Sequence, residues 1–216
     1  MTARRLQKEI GGEIVFFCHD SDHDPRETTT ILQDNHSNRE VALNFQFENR
    51  IQKQFSPLYA KRVLPKWHEK TARQLPNYVR RSLVAHFKET KCSNVADFCL
   101  EMYSRMGLLE GIRVERSSAR EVRARAVAVP EYFVDQRYEG EIVRARYRGG
   151  KLLLHKGGDR FLEIPGQDFG PEQISPTRDT RFGWMQSVIQ CTHYVAGASE
   201  QHYINKADAP QVKFIK

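Results

Sequence analysis

Apolar residues occur in short blocks along the chain, and the first blocks predict a helix followed by a buried strand. Residues 2–9 have a helical pattern that Gly11 and Gly12 end, because glycine accepts the backbone conformation of a helix terminus. The run EIVFFC at residues 13–18 has strand length and does not alternate with polar residues. Such a run is typical of a strand covered on both faces, as in a parallel sheet. The polar loop HDSDHDPRE follows directly, where open α/β sheets usually bind ligands.

The next blocks predict a hairpin and then helices. Residues 28–33 and 40–47 are β-branched or alternating segments around a turn-rich stretch, which predicts a β-hairpin. From Leu64 to Met106 the apolar spacing is helical, and Asn94 is placed to cap the last of these helices.

The second half of the chain predicts strands first and a helix later. Residues 138–165 read as an antiparallel meander, with Gly149 and Gly150 at its first turn. Pro176 is expected to open a helix of about fifteen residues, followed by the strand THYVAG, a short helix and a last strand QVKFIK. The expected fold is therefore α/β, with a parallel-sheet core, inserted helices and a small antiparallel meander.

The expected organisation has three parts. Residues 1–63 form the first part of the core with the hairpin, and residues 64–106 form a basic helical segment. Residues 107–216 form the second part of the core and include the meander at 138–165.

Composition limits the class of protein. The chain has 216 residues, of which 39% are hydrophobic, and no apolar run reaches the roughly 18 residues that a membrane-spanning helix needs. No signal-like apolar stretch follows the charged N-terminus. Four cysteines without a CxxC pair are expected to be reduced thiols, and no metal site is expected. We therefore expect a cytoplasmic protein with no membrane partner.

Positive charge is concentrated in one region. The net charge is +7, but residues 50–91 hold eleven Lys or Arg and two Glu, a net of +9. This region is either a solvated helical face or a surface for anions, including a nucleic acid backbone. The alternative function for the chain is accordingly a non-enzymatic anion or nucleic-acid binding module that uses residues 50–91 and their aromatic side chains.

Two segments hold candidate chemistry. The loop after the first strand contains His19, Asp20, Asp22, His23, Asp24 and Arg26. Imidazoles and carboxylates this close together suit a ligand-binding loop, a divalent metal or a hydrogen-bonded structural turn. The second segment runs from Ser175 to Tyr203, where Gly197 lets backbone amides approach an anion, Arg178 and Arg181 could clamp one, and Glu200 could equally be a helix-cap residue.

The same two segments resemble one family, the cysteine-adding ligases of bacillithiol biosynthesis (BshC). EIVFFCHDSDHD resembles the family's apolar strand and EDHD loop, with Asp22, His23 and Asp24 on the motif. ISPTRDTRFGWMQSVIQCTHYVAGASEQHY resembles its second signature without a gap, matching Arg181, Tyr194, Gly197, Glu200 and Tyr203 among others. The chain has no counterpart of the family's glycine- and glutamine-rich first motif or of its coiled coil.

The resemblance implies a Rossmann-like, nucleotidyltransferase-type core and a reaction that joins the carboxyl group of cysteine to the amine of an amino-sugar conjugate. Such a condensation needs an activated carboxylate, so ATP or ADP is the implied nucleotide. The implied catalytic residues are His23, Asp22 and Asp24. The implied substrate- or nucleotide-binding residues are His19, Asp20, Arg26, Arg181, Tyr194, Gly197 and Glu200. A second copy or a partner chain is expected to supply the missing elements.

Overall fold

The protein is a mixed α/β chain, described by a computed structural model over residues 2–33, 37–197 and 200–215. The helices are α1 (Thr2–Ile10), α2 (Arg50–Phe55), α3 (Trp67–Gln74), α4 (Arg81–Glu89), α5 (Val95–Arg105), α6 (Arg120–Arg125) and α7 (Arg181–Ile189). The strands are β1 (Ile14–Cys18), β2 (Thr29–Gln33), β3 (Glu40–Asn44), β4 (Ile112–Arg116), β5 (Tyr132–Tyr138), β6 (Glu141–Arg148), β7 (Lys151–Gly157), β8 (Arg160–Ile164), β9 (Ile174–Pro176), β10 (His193–Val195) and β11 (Lys213–Ile215). Within the described ranges, none of the helices has the length and apolar character needed to cross a bilayer.

The chain divides into two compact units. The first unit contains Met1–His19, Gly111–Gln136 and Ala145–Lys216, and the second contains Asp20–Glu110 and Arg137–Arg144. The division falls directly after His19, so the polar loop that follows β1 belongs to the second unit.

Two parallel strand pairs characterise the first unit. β1 pairs with β4, and β10 pairs with β11. The apolar side chains of α7 pack with the segment before β11 in a core cluster of Phe182, Met185, Ala209 and Val212. Phe17 of β1 packs against this cluster and contacts the Trp184 ring edge-on, with 6.2 Å between centroids. The sheets are small, and most of the strand pairing in the described residues is antiparallel.

The antiparallel sheet contains the meander that the glycine-punctuated segment predicts. Its strand order is β8-β7-β6-β5-β9, so β6, β7 and β8 are consecutive neighbours. The turn between β6 and β7 has Gly149 and Gly150 at φ +58° and +78°, a backbone region that side chains with a Cβ rarely adopt. β9 adds a further strand, with Phe133 opposite Ser175.

The second unit has the expected hairpin and an aromatic core. β2 and β3 pair antiparallel, with Thr29 opposite Asn44. The Trp67 ring stacks on Phe45 at 4.3 Å between centroids and meets Phe98 edge-on at 5.1 Å. The indole nitrogen of Trp67 donates to the Asn44 carbonyl at 2.8 Å, so α3 is held to the end of the hairpin.

The predicted start of α5, which rests on a capping residue, is correct, whereas the predicted start of α7, which rests on a proline, is wrong. Asn94 caps α5, since its side chain accepts from the Asp97 amide at 2.9 Å. Pro176 instead ends β9, opposite Tyr132, and the helix begins at Arg181 with nine residues. The turn between them is closed by the Thr177 amide, which donates to the Thr180 hydroxyl at 3.0 Å and so delays the helix start.

Candidate functional site

The first unit contains a cavity with a volume of about 680 Å³. Its walls are α1, β1, α7 and β10, together with the segments on either side of β10. One part of the lining is apolar, from side chains such as Leu6, Ile10 and Met185. The other part is polar and contains His19, Arg178, Arg181, Tyr194, Glu200 and Tyr203.

A hydrogen-bonded cluster forms the polar part. Arg181 donates from Nη2 to the Tyr203 hydroxyl at 2.6 Å. Tyr194 donates its hydroxyl to Oε1 of Glu200 at 2.9 Å, and Nη2 of Arg181 lies 3.7 Å from the same oxygen. The cluster therefore joins the first residue of α7, the centre of β10 and the short 3-10 helix Glu200–His202.

The cluster contains both positive and negative side chains, and these are accessible to water. The side chains of Arg181 and Glu200 are 21% and 26% exposed, so both still face water. The guanidinium of Arg178 lies over the Tyr203 ring at 5.2 Å from its centroid, and that of Arg181 lies at 5.7 Å. Two guanidinium groups against one ring, beside a carboxylate, can bind an anion and an ammonium group at neighbouring positions.

Tyr194 is a fixed neutral donor. Burial and the adjacent negative charge of Glu200 raise the pKa of the Tyr194 phenol well above its usual range. The phenol therefore keeps its proton at neutral pH and orients the Glu200 carboxylate.

The ends of β1 and β10 contribute the remaining predicted residues of this unit. His19 follows β1 and Gly197 follows β10 by two residues, and both line the cavity. A Cβ added at Gly197 would meet open space, so the glycine is not required by a close contact. Its carbonyl accepts from the Glu200 amide at 3.1 Å, which starts the 3-10 turn that carries Glu200. The next two residues of this turn, Ala198 and Ser199, lie outside the described residues.

The acidic-His loop lies in the second unit and is densely hydrogen-bonded. Asp20 and Ser21 are fully buried. The Tyr59 amide donates to the Asp20 carbonyl at 3.2 Å, and the Leu58 amide donates to the Asp22 carbonyl at 2.8 Å. Oδ1 of Asp22 accepts from the amides of His23 at 2.6 Å and Asp24 at 3.1 Å, the geometry of a side-chain-closed turn.

His23 is held by cations. Nη1 of Arg144 lies 3.4 Å from Nδ1 of His23 and 3.7 Å from Oδ1 of Asp22. Since a guanidinium only donates, Nδ1 accepts and the ring proton is on Nε2. Burial, aided by the charge of Arg144 and opposed by Asp22, lowers the pKa of His23 to about 4. At neutral pH His23 is therefore a neutral hydrogen-bond donor through Nε2.

Lys61 supports the same loop from within the basic segment. Its ammonium group donates to the His23 carbonyl at 3.0 Å and lies 5.6 Å from the centre of the Phe47 ring. The residue is fully buried, and burial lowers its pKa to about 8 against the opposing charges of Asp22 and Asp24.

Asp24 and Arg26 form the exposed end of the loop. Asp24 accepts the Arg26 amide at 2.9 Å and caps the 3-10 helix Pro25–Thr28. Nε of Arg26 donates to the same carboxylate at 2.9 Å, and this side-chain hydrogen bond lowers the pKa of Asp24. Within the described residues, no three His, Cys, Asp or Glu side chains are arranged to hold a metal ion.

The structure thus distributes the predicted site residues between the units. His19, Arg181, Tyr194, Gly197 and Glu200 line one cavity in the first unit. The remaining five, Asp20, Asp22, His23, Asp24 and Arg26, form the loop of the second unit.

Sequence reasoning missed Arg144, whose side chain is 4% exposed within β6. A charged residue in a strand is ordinarily assigned to the solvent face, and no motif marked this one.

The alternative function counts the aromatic side chains of residues 50–91 among the groups that contact bases. Phe55 and Trp67 are instead core side chains, 2% and 4% exposed, and are not accessible to a nucleic acid.

Neither the models of known protein families nor the curated protein sequences contain a match to this chain.

Proposed function

We propose that the protein binds a small zwitterionic substrate in the polar part of the cavity and joins the carboxyl group of cysteine to the amine of an amino-sugar conjugate. The observation that carries the binding proposal is the cluster of Arg181, Glu200, Tyr194 and Tyr203 on the cavity wall. The resemblance of its segment to the cysteine-adding ligases supports the reaction.

The arrangement of charges suits an amino acid. Arg178 and Arg181 offer guanidinium groups to a carboxylate or phosphate, which such groups bind through two parallel hydrogen bonds. Glu200 accepts from Tyr194 but a carboxylate has further acceptor positions, so it can also receive an ammonium group. Tyr194 and Tyr203 hold the two charged side chains in place before the substrate arrives.

The position in the fold supports the same proposal. We place the parallel pairs β1–β4 and β10–β11 in a Rossmann-like core, in which ligands bind beyond the carboxyl ends of the strands. His19 and Gly197 follow the carboxyl ends of β1 and β10. In this proposal His19, which lines the cavity, stabilises a phosphate or an oxyanion.

The proposed reaction requires activation of the cysteine carboxylate. A carboxylate oxygen attacks a phosphorus atom of ATP and displaces ADP or pyrophosphate, which gives a mixed anhydride. The amine of the acceptor then attacks the carbonyl carbon, forms the C–N bond and releases phosphate or AMP. Binding of ATP or ADP is therefore proposed together with the reaction.

Isothermal titration calorimetry of the full chain with cysteine, ATP, ADP and a glucosaminyl conjugate tests the binding. Arg181→Gln should weaken binding of cysteine at least about tenfold, because it removes one charge-assisted contact. Arg148→Gln, at an exposed arginine of the same unit, is the matched control and should bind like the wild type. Equal affinities of wild type and Arg181→Gln, or no binding of any of these ligands, would refute the proposal. Salt-sensitive binding of a short oligonucleotide alone would favour the basic-segment alternative.

A further inference from the structure

Two strands that each have one paired edge, β1 and β10, line the cavity. β1 pairs only with β4 and β10 only with β11 among the described residues. β1 lines the cavity with residues 14–17, and β10 lines it with all three of its residues.

The backbone hydrogen bonds at the end of β1 show which of its residues point their N–H and C=O groups toward β4. The Ser117 amide donates to the Cys18 carbonyl at 2.9 Å, so the backbone of Cys18 points toward the β4 side. In a strand, N–H and C=O groups of successive residues point to opposite edges. The backbone groups of Val15 and Phe17 therefore point away from β4.

The same reasoning applies to β10. The Lys213 amide donates to the Thr192 carbonyl at 3.0 Å, and the Ala196 amide donates to the Ile215 carbonyl at 3.2 Å. Thr192 and Ala196 thus point toward β11, and His193 and Val195 point to the opposite edge. The four residues on these outer edges line the cavity together with their strand neighbours Ile14, Phe16 and Tyr194.

Apolar surface around these edges is incompletely covered. All five residues of β1 are only half-buried, although they are the apolar run that predicts a strand covered on both faces. None of the α1 residues is buried, and Ile10, which lines the cavity, is 53% exposed. Val195 on β10 is 41% exposed.

We propose that this part of the cavity is the docking slot for a β-strand of a partner polypeptide, about five apolar residues long, which adds to the edges of β1 and β10. An extended peptide offers N–H and C=O groups along both of its edges, which no helix or lipid chain does. Adjacent strands lie about 4.8 Å apart, so one strand bonded to both edges would join the two parallel pairs into a continuous sheet. Side chains of the strand would cover β1 and α1 with apolar surface.

The slot is separate in its chemistry from the polar cluster at the ends of the strands. Its recognition groups are backbone edges and apolar side chains, whereas the proposed substrate site uses Arg181 and Glu200. Arg181→Gln should therefore bind a strand peptide as the wild type does, so that failure of one proposal is distinguishable from failure of the other.

The test uses an acetylated and amidated peptide with the sequence KVIVIVK, titrated into the full chain and followed by NMR hydrogen exchange and calorimetry. In the free protein, the amides of Val15, Phe17 and Val195 should exchange faster than those of Phe16 and Ala196. Peptide binding should slow the exchange of the first three amides at least about tenfold, since each gains a hydrogen bond. The same peptide with proline at its third and fifth positions lacks two N–H donors and should bind at least about tenfold more weakly.

A matched pair of variants distinguishes peptide binding in the slot from nonspecific hydrophobic binding elsewhere on the protein. Ile10 lines the cavity and Ile31 lies on β2 of the second unit, and they are 53% and 61% exposed. Ile10→Lys places a charge in the slot and should abolish peptide binding, whereas Ile31→Lys should leave it unchanged. Slow exchange of the Val15 and Phe17 amides in the free protein, or equal binding of the proline peptide, would overturn the proposal.

Discussion

The protonation of His23 leads to a quantitative prediction of how the free energy of unfolding depends on pH. Burial and Arg144 lower the pKa of His23 to about 4 in the folded protein, from 6.5 for an unperturbed imidazole. Between these two values the unfolded chain binds more protons than the folded one, so the free energy of unfolding falls as the pH falls. The contribution of His23 is fully present above pH 6.5 and is lost as the pH decreases toward 4. Proton linkage over pH 7 to pH 5 gives a loss of about 2 kcal/mol from this residue alone.

Urea unfolding at pH 7 and pH 5 measures the contribution of His23 to the free energy of unfolding. Trp67 reports on the second unit if Trp184 is replaced by phenylalanine in every variant. The parent should lose about 2 kcal/mol more than His23→Gln over this range, since glutamine cannot be protonated there while the carboxylates of both proteins titrate alike. His86→Gln, at a half-buried histidine of α4 in the same unit, is the control and should follow its parent within about 0.5 kcal/mol. Parallel losses in the parent and His23→Gln would refute the argument that His23 is buried beside Arg144.

Two further predictions concern buried charges, each measured by urea unfolding. Arg123→Met should destabilise the first unit by about 3 kcal/mol, because Arg123 donates to Asp135 at 2.6 Å, and both side chains are at most 5% exposed. Adding Asp135→Leu should recover part of that loss, and no recovery would contradict the charge argument. For Lys61, whose pKa is lowered to about 8 from 10.5, the folded chain releases its proton first, so stability rises as the pH increases. The wild type should gain about 2 kcal/mol relative to Lys61→Met between pH 7 and pH 9.5, and a constant difference would show that Lys61 remains in water.

Much of the secondary structure follows from local signals in the sequence. The helix ended by Gly11 and Gly12, the hairpin around the turn-rich stretch and the cap at Asn94 each depend on contacts between residues close in sequence. These signals do not require knowledge of the tertiary structure. The start of α7 was predicted wrongly because pairing of Pro176 with Tyr132, a contact over more than forty residues, keeps that segment in a strand.

The candidate site was only partly predictable for the same reason. Arg181, Tyr194 and Glu200, which the family resemblance singles out in the sequence, lie in one hydrogen-bonded cluster. The surroundings of His23 depend on Arg144, which is 121 residues away in sequence and comes from a different strand. The resulting low pKa of His23 could therefore not be obtained from the loop sequence alone.

The central claim is that the protein forms an amide between cysteine and an amino-sugar conjugate. Mass spectrometry of the purified full chain with cysteine, a glucosaminyl conjugate and ATP tests it most directly. We expect a product with the mass of the two substrates less one water, formed together with ADP or AMP, and strongly reduced by Arg181→Gln but not by Arg148→Gln. Absence of this product in a sample in which calorimetry shows that cysteine, the conjugate and ATP bind would contradict the claim.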